Sequence, residues 1–137
     1  MPEVSGLLET ALYVDDLDRS IEFYQQIFEF TLILQSNRGC ALSVADQQVL
    51  VILKKGASKQ ARITPGGTIP ATKGEGTLHM AFSISCNDLE EWKEWLEEND
   101  VEIESTVKWA RGGQSLYFRD PDDHVIELVT PGCWTIY

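Results

Sequence analysis

The chain has no apolar stretch long enough for a membrane-spanning helix. Its longest unbroken apolar run, Val49 to Leu53, falls far short of the roughly 20 residues a spanning helix needs. It is also short of positive charge: 11 Lys and Arg stand against 22 Asp and Glu, a formal net charge of −11. Such an excess repels polyanions, so nucleic acid is not an expected partner. Cysteine is scarce. Cys40, Cys86 and Cys133 are odd in number, far apart and in no zinc-ligand spacing. No disulfide framework follows, and buried free thiols in a reducing cytoplasm are expected. The opening residues MPEVSGLLET are acidic and lack the basic n-region of a secretion signal. What is present is a 137-residue chain, 43% hydrophobic and 24% charged, which reads as one soluble globular domain with a sizeable core.

The stretch Ser115 to Gly132, SLYFRDPDDHVIELVTPG, organises the rest. Two alternating runs, SLYF and HVIELV, flank RDPDD, where Pro121 presets φ and the aspartates favour tight turning. That pattern predicts a β-hairpin. Val125, Glu127 and Val129 share one face of its second arm, and Ile126 and Leu128 share the other. Both faces are mostly apolar, as in a strand covered on both sides. A carboxylate in the middle of such a strand is expensive unless a cation or hydrogen-bond donors compensate it.

Upstream, Leu7 to Val14 predicts a strand. Asp15, Asp16 and Asp18 supply cap and first-turn charges for a helix whose apolar stripe is Leu17, Ile21, Tyr24 and Phe28. That helix should stop near Glu29, where glycine would be the comfortable left-handed residue. Phe30 to Gln35, Cys40 to Ala45 and Gln48 to Lys54 predict three strands, broken at Asn37-Arg38-Gly39 and Asp46-Gln47. Lys55 to Thr77 carries five glycines and two prolines. It is too glycine-rich and aperiodic for a core element, and predicts a linker between halves, long enough to fold over a cleft. Its Lys55, Lys59, Arg62 and Lys73, with the flanking Lys54, either meet an anionic ligand or are simply solvated.

The pattern then returns. Leu78 to Ser85 is a strand, and Asn87 or Asp88 caps a helix, with Asp88 and Glu91 at capping-box spacing. Leu89, Trp92, Trp95 and Leu96 form its buried stripe, and Asn99 is the left-handed terminator. Val101 to Val107, Ser115 to Arg119 and His124 to Val129 complete the strands. Trp134 and Tyr137 should cover part of the structure, and His124 falls in the hairpin turn as an exposed residue without a role.

Each half thus runs strand, helix, three strands. LETALYV and LHMAFSI superpose without gaps, which puts Glu9 and His79 at one equivalent position. DLDRSIEFYQQIFEF follows the helical phase of DLEEWKEWLEENDVEI, and VLVILKKG set against HVIELVTPG brings Ile52 opposite Glu127. A duplicated module must bury its sheet against its twin to make one core. Glu9, His79 and Glu127 are the polar groups on those inner strands, and all are metal-compatible. Either they hold a cation, or they are core polar groups bonded to one another.

With LETALYVDDLDRSIEFYQQIF, the strand LHMAFSI led by His79, and YFRDPDDHVIEL, the chain resembles the vicinal oxygen chelate superfamily over nearly its whole length. This is the glyoxalase, bleomycin-resistance and dioxygenase group. The resemblance implies an α+β fold: two paired βαβββ modules, about residues 5–54 and 78–130, forming a cup-shaped, mostly antiparallel sheet with the helices outside. Loop 55–77 joins them within one domain. It further implies a homodimer and a divalent metal on the inner face. In that group the ligands come from the first and last strands of each module. Carried over, these places fall on Glu9, His79 and Glu127, with the fourth on Ile52, which cannot ligate. Glyoxalase I-type enzymes fill all four places; extradiol dioxygenases and fosfomycin-resistance enzymes use three, typically two His and one Glu. Two carboxylates and one imidazole suit Zn, Ni, Mn or Fe(II), and three protein ligands leave places for water or a chelating substrate.

The function expected is therefore a metal-dependent enzyme acting on a small vicinal-oxygen substrate. Lyase, isomerase, dioxygenase and antibiotic-modifying chemistries all fit, through Lewis-acid stabilisation of an enolate or alkoxide. Glu9 or Glu127 would double as the catalytic proton shuttle. The turn Trp109 to Ser115 matches a pocket-lining loop of that family, and its Arg111 either binds a carboxylate or phosphonate bidentately or is a plain surface arginine. Tyr117 lies ten residues before Glu127, the spacing of a substrate-contacting tyrosine in fosfomycin-resistance enzymes. The rival is a non-catalytic, bleomycin-resistance-like binder using Trp109, Tyr117 and Trp134 as an aromatic pocket.

Overall fold

In the first half of the chain, residues two apart in sequence sort onto one buried face. Leu12 and Val14 in β1 (Glu9–Val14), Cys40 and Leu42 in β3 (Gly39–Val44), and Leu50 and Ile52 in β4 (Gln48–Lys54) are all buried. With β2 (Thr31–Gln35) they make a four-stranded sheet in the order β1-β4-β3-β2. β1 runs parallel to β4, and the other pairings are antiparallel. Helix α1 (Leu17–Phe28) lies against β2, β3 and β4, burying Leu17, Ile21, Tyr24 and Ile27. Each fully buried Leu or Ile contributes about 1.5–3 kcal/mol. Burial also pushes the Cys40 thiol up to about 11, so it stays protonated and inert.

The ends of α1 follow local chemistry. The Asp16 side chain accepts from the Arg19 amide at 3.1 Å, a conventional N-cap. At the other end Glu29 takes the left-handed conformation at φ 54°, ψ 28°, the place where glycine would be at ease.

The computed structural model describes all 137 residues, which divide into two compact units, Met1–Gly76 and Thr77–Tyr137. The stretch 55–77, expected to lack regular structure, contains a small hairpin of β5 (Arg62–Thr64) and β6 (Gly67–Ile69). Its two ends are tied together and to β1. The Thr72 amide donates to the Ser58 carbonyl at 2.9 Å, and the Tyr13 hydroxyl lies 2.8 Å from Thr72 Oγ1 and 3.2 Å from Ser58 Oγ. Gly74 rests on the Tyr13 ring, where an added Cβ would come within 1.9 Å of a ring carbon, so only glycine fits.

The second unit repeats the first. β7 (His79–Ser83), α2 (Leu89–Glu98), β8 (Ser105–Lys108), β9 (Gln114–Arg119) and β10 (Val125–Val129) give a sheet in the order β7-β10-β9-β8, with β7 parallel to β10. Leu116, Phe118, Ile126 and Leu128 form its buried face. The α+β fold with a βαβββ repeat is therefore as expected. No helix is long and apolar enough to cross a membrane.

Several local expectations fail. Ser85, not Asp88, opens the helical segment, accepting from the Asn87 amide at 3.2 Å ahead of a 3-10 turn at Cys86–Asp88. Asp88 is already helical there and makes no side-chain cap bond. Asn99 keeps a negative φ of −98°, and Asp100 takes the positive φ, 56°. The eighth strand starts at Ser105 rather than Val101. Trp95 and Trp134 are exposed, and Cys86 is exposed where a buried thiol was expected. His124 is buried, not exposed: its Nδ1 accepts from the Leu78 amide at 2.9 Å, and its own amide donates to Asp120 Oδ1 at 2.9 Å.

Glu29 offers a direct check on the end of α1. A left-handed non-glycine residue costs roughly 1–2 kcal/mol, partly offset by the unfolded-state freedom of glycine. Glu29→Gly should therefore stabilise the fold by about 0.5–1 kcal/mol in urea unfolding, and Glu29→Val should destabilise it. An unchanged midpoint in both variants would show that the terminus frays rather than holding this conformation.

Candidate functional site

Strand pairing gathers the polar groups of the second unit around Glu127. On β10 its cross-strand partners are Tyr117 of β9 and Ala81 of β7. Period-two alternation puts Ser115 on the same face of β9 and His79 on the same face of β7, each one step along the strand. Ala81 is small and leaves the carboxylate room beside β7. Glu127 is 6% exposed, so its charge must be compensated locally.

Compensation comes from four side chains. The Ser115 hydroxyl donates to Glu127 Oε1 at 2.5 Å, and the Tyr117 hydroxyl donates to the same oxygen at 2.9 Å. The Trp109 indole N–H donates to Ser115 Oγ at 2.7 Å. His79 Nε2 lies 3.2 Å from Glu127 Oε2. Burial first, and then the hydrogen bond to Glu127 and its charge, push the Tyr117 phenol above its ordinary value. It therefore remains a donor across the neutral and mildly alkaline range.

The state of His79 is constrained from its other side. Nδ1 lies 3.1 Å from the Val125 carbonyl, which can only accept, and the tautomer that satisfies this contact carries its hydrogen on Nδ1. In the neutral ring Nε2 then presents a lone pair to Glu127 Oε2. Two lone-pair atoms at that distance repel unless a positive charge joins them, either a proton on Nε2 or a metal ion. Imidazole nitrogen and carboxylate oxygen are good ligands for Zn, Mn, Fe or Ni. Their 3.2 Å separation suits two atoms sharing one small cation at about 2.0–2.2 Å each. The carbonyl behind Nδ1 is the usual outer partner of a metal-binding histidine. The pair thus fits a divalent metal. Its His79 side chain is accessible, being 52% exposed.

The first unit mirrors this backbone but not its chemistry. Glu9 faces Val49 in β1–β4 as His79 faces Val125 in β7–β10, so Glu9 and His79 do share a register position. The fourth place, expected at Ile52, moves by one. Val51 pairs with Ala11 as Glu127 pairs with Ala81, while Ile52 pairs with Leu12 on the fully buried face. The match of VLVILKKG with HVIELVTPG was one residue out of phase, and one residue flips a strand side chain to the opposite face. Val51 cannot ligate either. Glu9 is exposed at the start of β1, and within neither unit do three or more His, Cys, Asp or Glu side chains gather to hold a metal.

Around the pair, Arg111 is exposed at the tip of the β8–β9 turn. Arg119, which shares the Tyr117 face, is committed elsewhere: it grips Glu104 through two bonds of 2.6 and 3.1 Å and donates to the Asp123 carbonyl at 2.9 Å. Trp134 is 69% exposed and makes no part of the network. Two further residues, Ser115 and His124, support this network. Ser115 could have been found, since it shares the Tyr117 and Glu127 face by alternation. His124, which fastens the residue before His79, sits in a polar Asp-Pro-Asp-Asp turn that gives no sign of burial.

Comparison with known proteins identifies the family of the chain. The family model described as Glyoxalase/Bleomycin resistance protein/Dioxygenase superfamily matches residues 6–128. The chain is 30% identical to "Metallothiol transferase FosB" of Staphylococcus epidermidis, over 93% of this chain and 83% of that protein. It is likewise 30% identical to "Glutathione transferase FosA" of Serratia marcescens, over 91% of this chain and 80% of that one. Among solved structures, lactoylglutathione lyase from Agrobacterium tumefaciens is similar at a TM-score of 0.88 and 27% identity, covering 98% of this chain and 99% of that one.

Tyr117→Phe should destabilise the protein at pH 7 by about 1–3 kcal/mol, since a buried carboxylate loses one of its donors. Because the folded pKa of Tyr117 is raised, this contribution is complete below the unfolded value of about 10. It disappears as pH rises through the folded value. Urea unfolding at pH 7 and pH 11 checks both statements, and equal wild-type and variant stabilities at pH 7 would contradict them.

Proposed function

The chain belongs to the Glyoxalase/Bleomycin resistance protein/Dioxygenase superfamily, and on that premise we propose that it is a metal-dependent enzyme adding a thiol to a small oxygen-rich substrate. The observation that carries the proposal is the His79–Glu127 pair, whose facing nitrogen and oxygen at 3.2 Å stand at the separation of two atoms sharing one cation. His79 and Glu127 would hold a divalent cation, and Glu9, which occupies in its own unit the register position of His79, is the further carboxylate to be tested as a ligand. The cation when bound supplies Lewis acidity to a substrate oxygen.

The chain's own residues do the rest. Glu127 stays fixed, because its Oε1 accepts two hydroxyls, and so is a poor proton shuttle. Glu9, exposed and without such anchors, is the better group to accept and release a proton. Arg111 presents a planar, permanently charged fork for a carboxylate or phosphonate. Tyr117, whose hydroxyl is engaged by Glu127, acts on the substrate through its ring edge or through that carboxylate rather than as a free donor. An apolar Val51 at the fourth place favours three protein ligands and an open coordination sphere over the four-ligand arrangement of glyoxalase I. The thiol is favoured because relatives at 30% identity are named metallothiol and glutathione transferases.

The test is metal analysis joined to an assay. Wild-type protein should carry close to one divalent metal and consume fosfomycin in the presence of glutathione or another low-molecular-weight thiol. His79→Ala and Glu127→Gln should lose the metal, and Glu9→Gln should bind it at least about tenfold more weakly. Arg111→Ala should raise KM with little change in metal content. Unchanged metal content in His79→Ala and Glu127→Gln would end the proposal. Ligand binding that survives chelator treatment, without turnover, would instead favour a non-catalytic binder.

A further inference from the structure

We infer that Trp109 and Ser115 are positioning residues that leave Glu127 a single oxygen to offer a cation, an inference that rests on the metal-binding reading above. The direction of every bond in the chain is set by what each group can donate. An indole N–H only donates, so Ser115 Oγ must accept from Trp109 at 2.7 Å. The one hydrogen on Ser115 is then directed to Glu127 Oε1 at 2.5 Å, and Tyr117 adds a second hydroxyl to that oxygen at 2.9 Å. Oε1 has two lone pairs, and both are now used. Oε2, facing His79 Nε2, is left alone.

Burial makes this arrangement hard to replace. Ser115 has no exposed surface, so water cannot easily take the place of its hydroxyl. Trp109 sits on the β8–β9 turn, closed by the Trp109 amide donating to the Gly113 carbonyl at 2.8 Å. The turn is locked from below: a Cβ on Gly113 would come 2.6 Å from the Gly132 carbonyl carbon. That close glycine contact fixes the turn, and the turn aims the indole at Ser115. A carboxylate held in this way binds through one oxygen. It leaves a coordination place to water or substrate that a bidentate carboxylate would occupy.

Mn(II) is the probe, because water bound to it shortens solvent-proton relaxation and so reports the open places directly. Ser115→Ala frees one lone pair of Oε1 and lets Glu127 turn both oxygens to the ion. The relaxation enhancement per bound Mn(II) should fall, and affinity should drop about ten- to a hundredfold, as for other outer partners of metal ligands. Trp109→Phe, on an exposed turn, should change both quantities in the same direction by less, and Ser115→Thr, which keeps the hydroxyl, should restore them. Wild-type enhancement and affinity in both Ser115→Ala and Trp109→Phe would overturn the relay while leaving the metal site standing. Full Mn(II) binding by His79→Ala and Glu127→Gln would overturn the site itself, and the relay with it. Should Ser115→Ala fail to fold, Trp109→Phe decides.

Discussion

One buried anion governs the second half of this protein. Glu127 lies mid-strand in β10, and a carboxylate there is tolerated only with donors or a cation at hand. Its neighbours meet that requirement from both flanking strands, with two hydroxyls on one oxygen and an imidazole by the other. All of them follow from a side-chain period of two across a fixed register. A slip of one residue would send Glu127 to the apolar face beneath, among Leu116, Phe118 and Leu128. Register here is therefore as much a matter of charge as of hydrophobic packing.

The features at the strand ends make sense in that light. His124 takes the Leu78 amide while the Leu78 carbonyl accepts from Val125 at 2.8 Å, which holds the start of β7 against the start of β10. At the other end Thr130 and Gln114 exchange bonds of 3.0 and 2.9 Å, and Tyr137 donates to the Val129 carbonyl at 2.9 Å. Each clamp fixes where His79, Ser115 and Tyr117 stand relative to Glu127. Positional accuracy of this kind is what a metal or a substrate requires of its ligands.

The two units show how far a repeat preserves architecture without preserving chemistry. Strand order and the single parallel pairing recur in both. Yet the place of Glu127 is Val51 in the first unit, and the place of His79 is Glu9. The first unit instead folds residues 58–74 back onto Tyr13, with hydrogen bonds and a glycine contact the second unit lacks. Membership of the superfamily fixes the fold and leaves the reaction open, since one fold hosts many chemistries. The similar proteins, thiol transferases and a lyase among them, illustrate that breadth.

Much of the architecture could be read from local pattern. The βαβββ repeat, the α1 stripe and the β9–β10 hairpin follow from periodicity and turn chemistry, because those signals depend on near neighbours in sequence, and setting the two halves of the repeat side by side singles out Glu9, His79 and Glu127. The shared face of Ser115, Tyr117 and Glu127 is implicit in the same alternation. Other features depend on contacts between residues far apart. The true equivalence of Val51 with Glu127 needed the pairing register. The burial of His124 depended on the Leu78 amide, 46 residues away in sequence. The docking of 58–74 depended on Tyr13, and the indole-to-carboxylate relay on the Gly113–Gly132 approach. Local sequence thus determined which elements form and which faces are polar. Tertiary structure alone decided which polar atoms meet, because hydrogen bonds are sensitive to displacements far smaller than one residue's length.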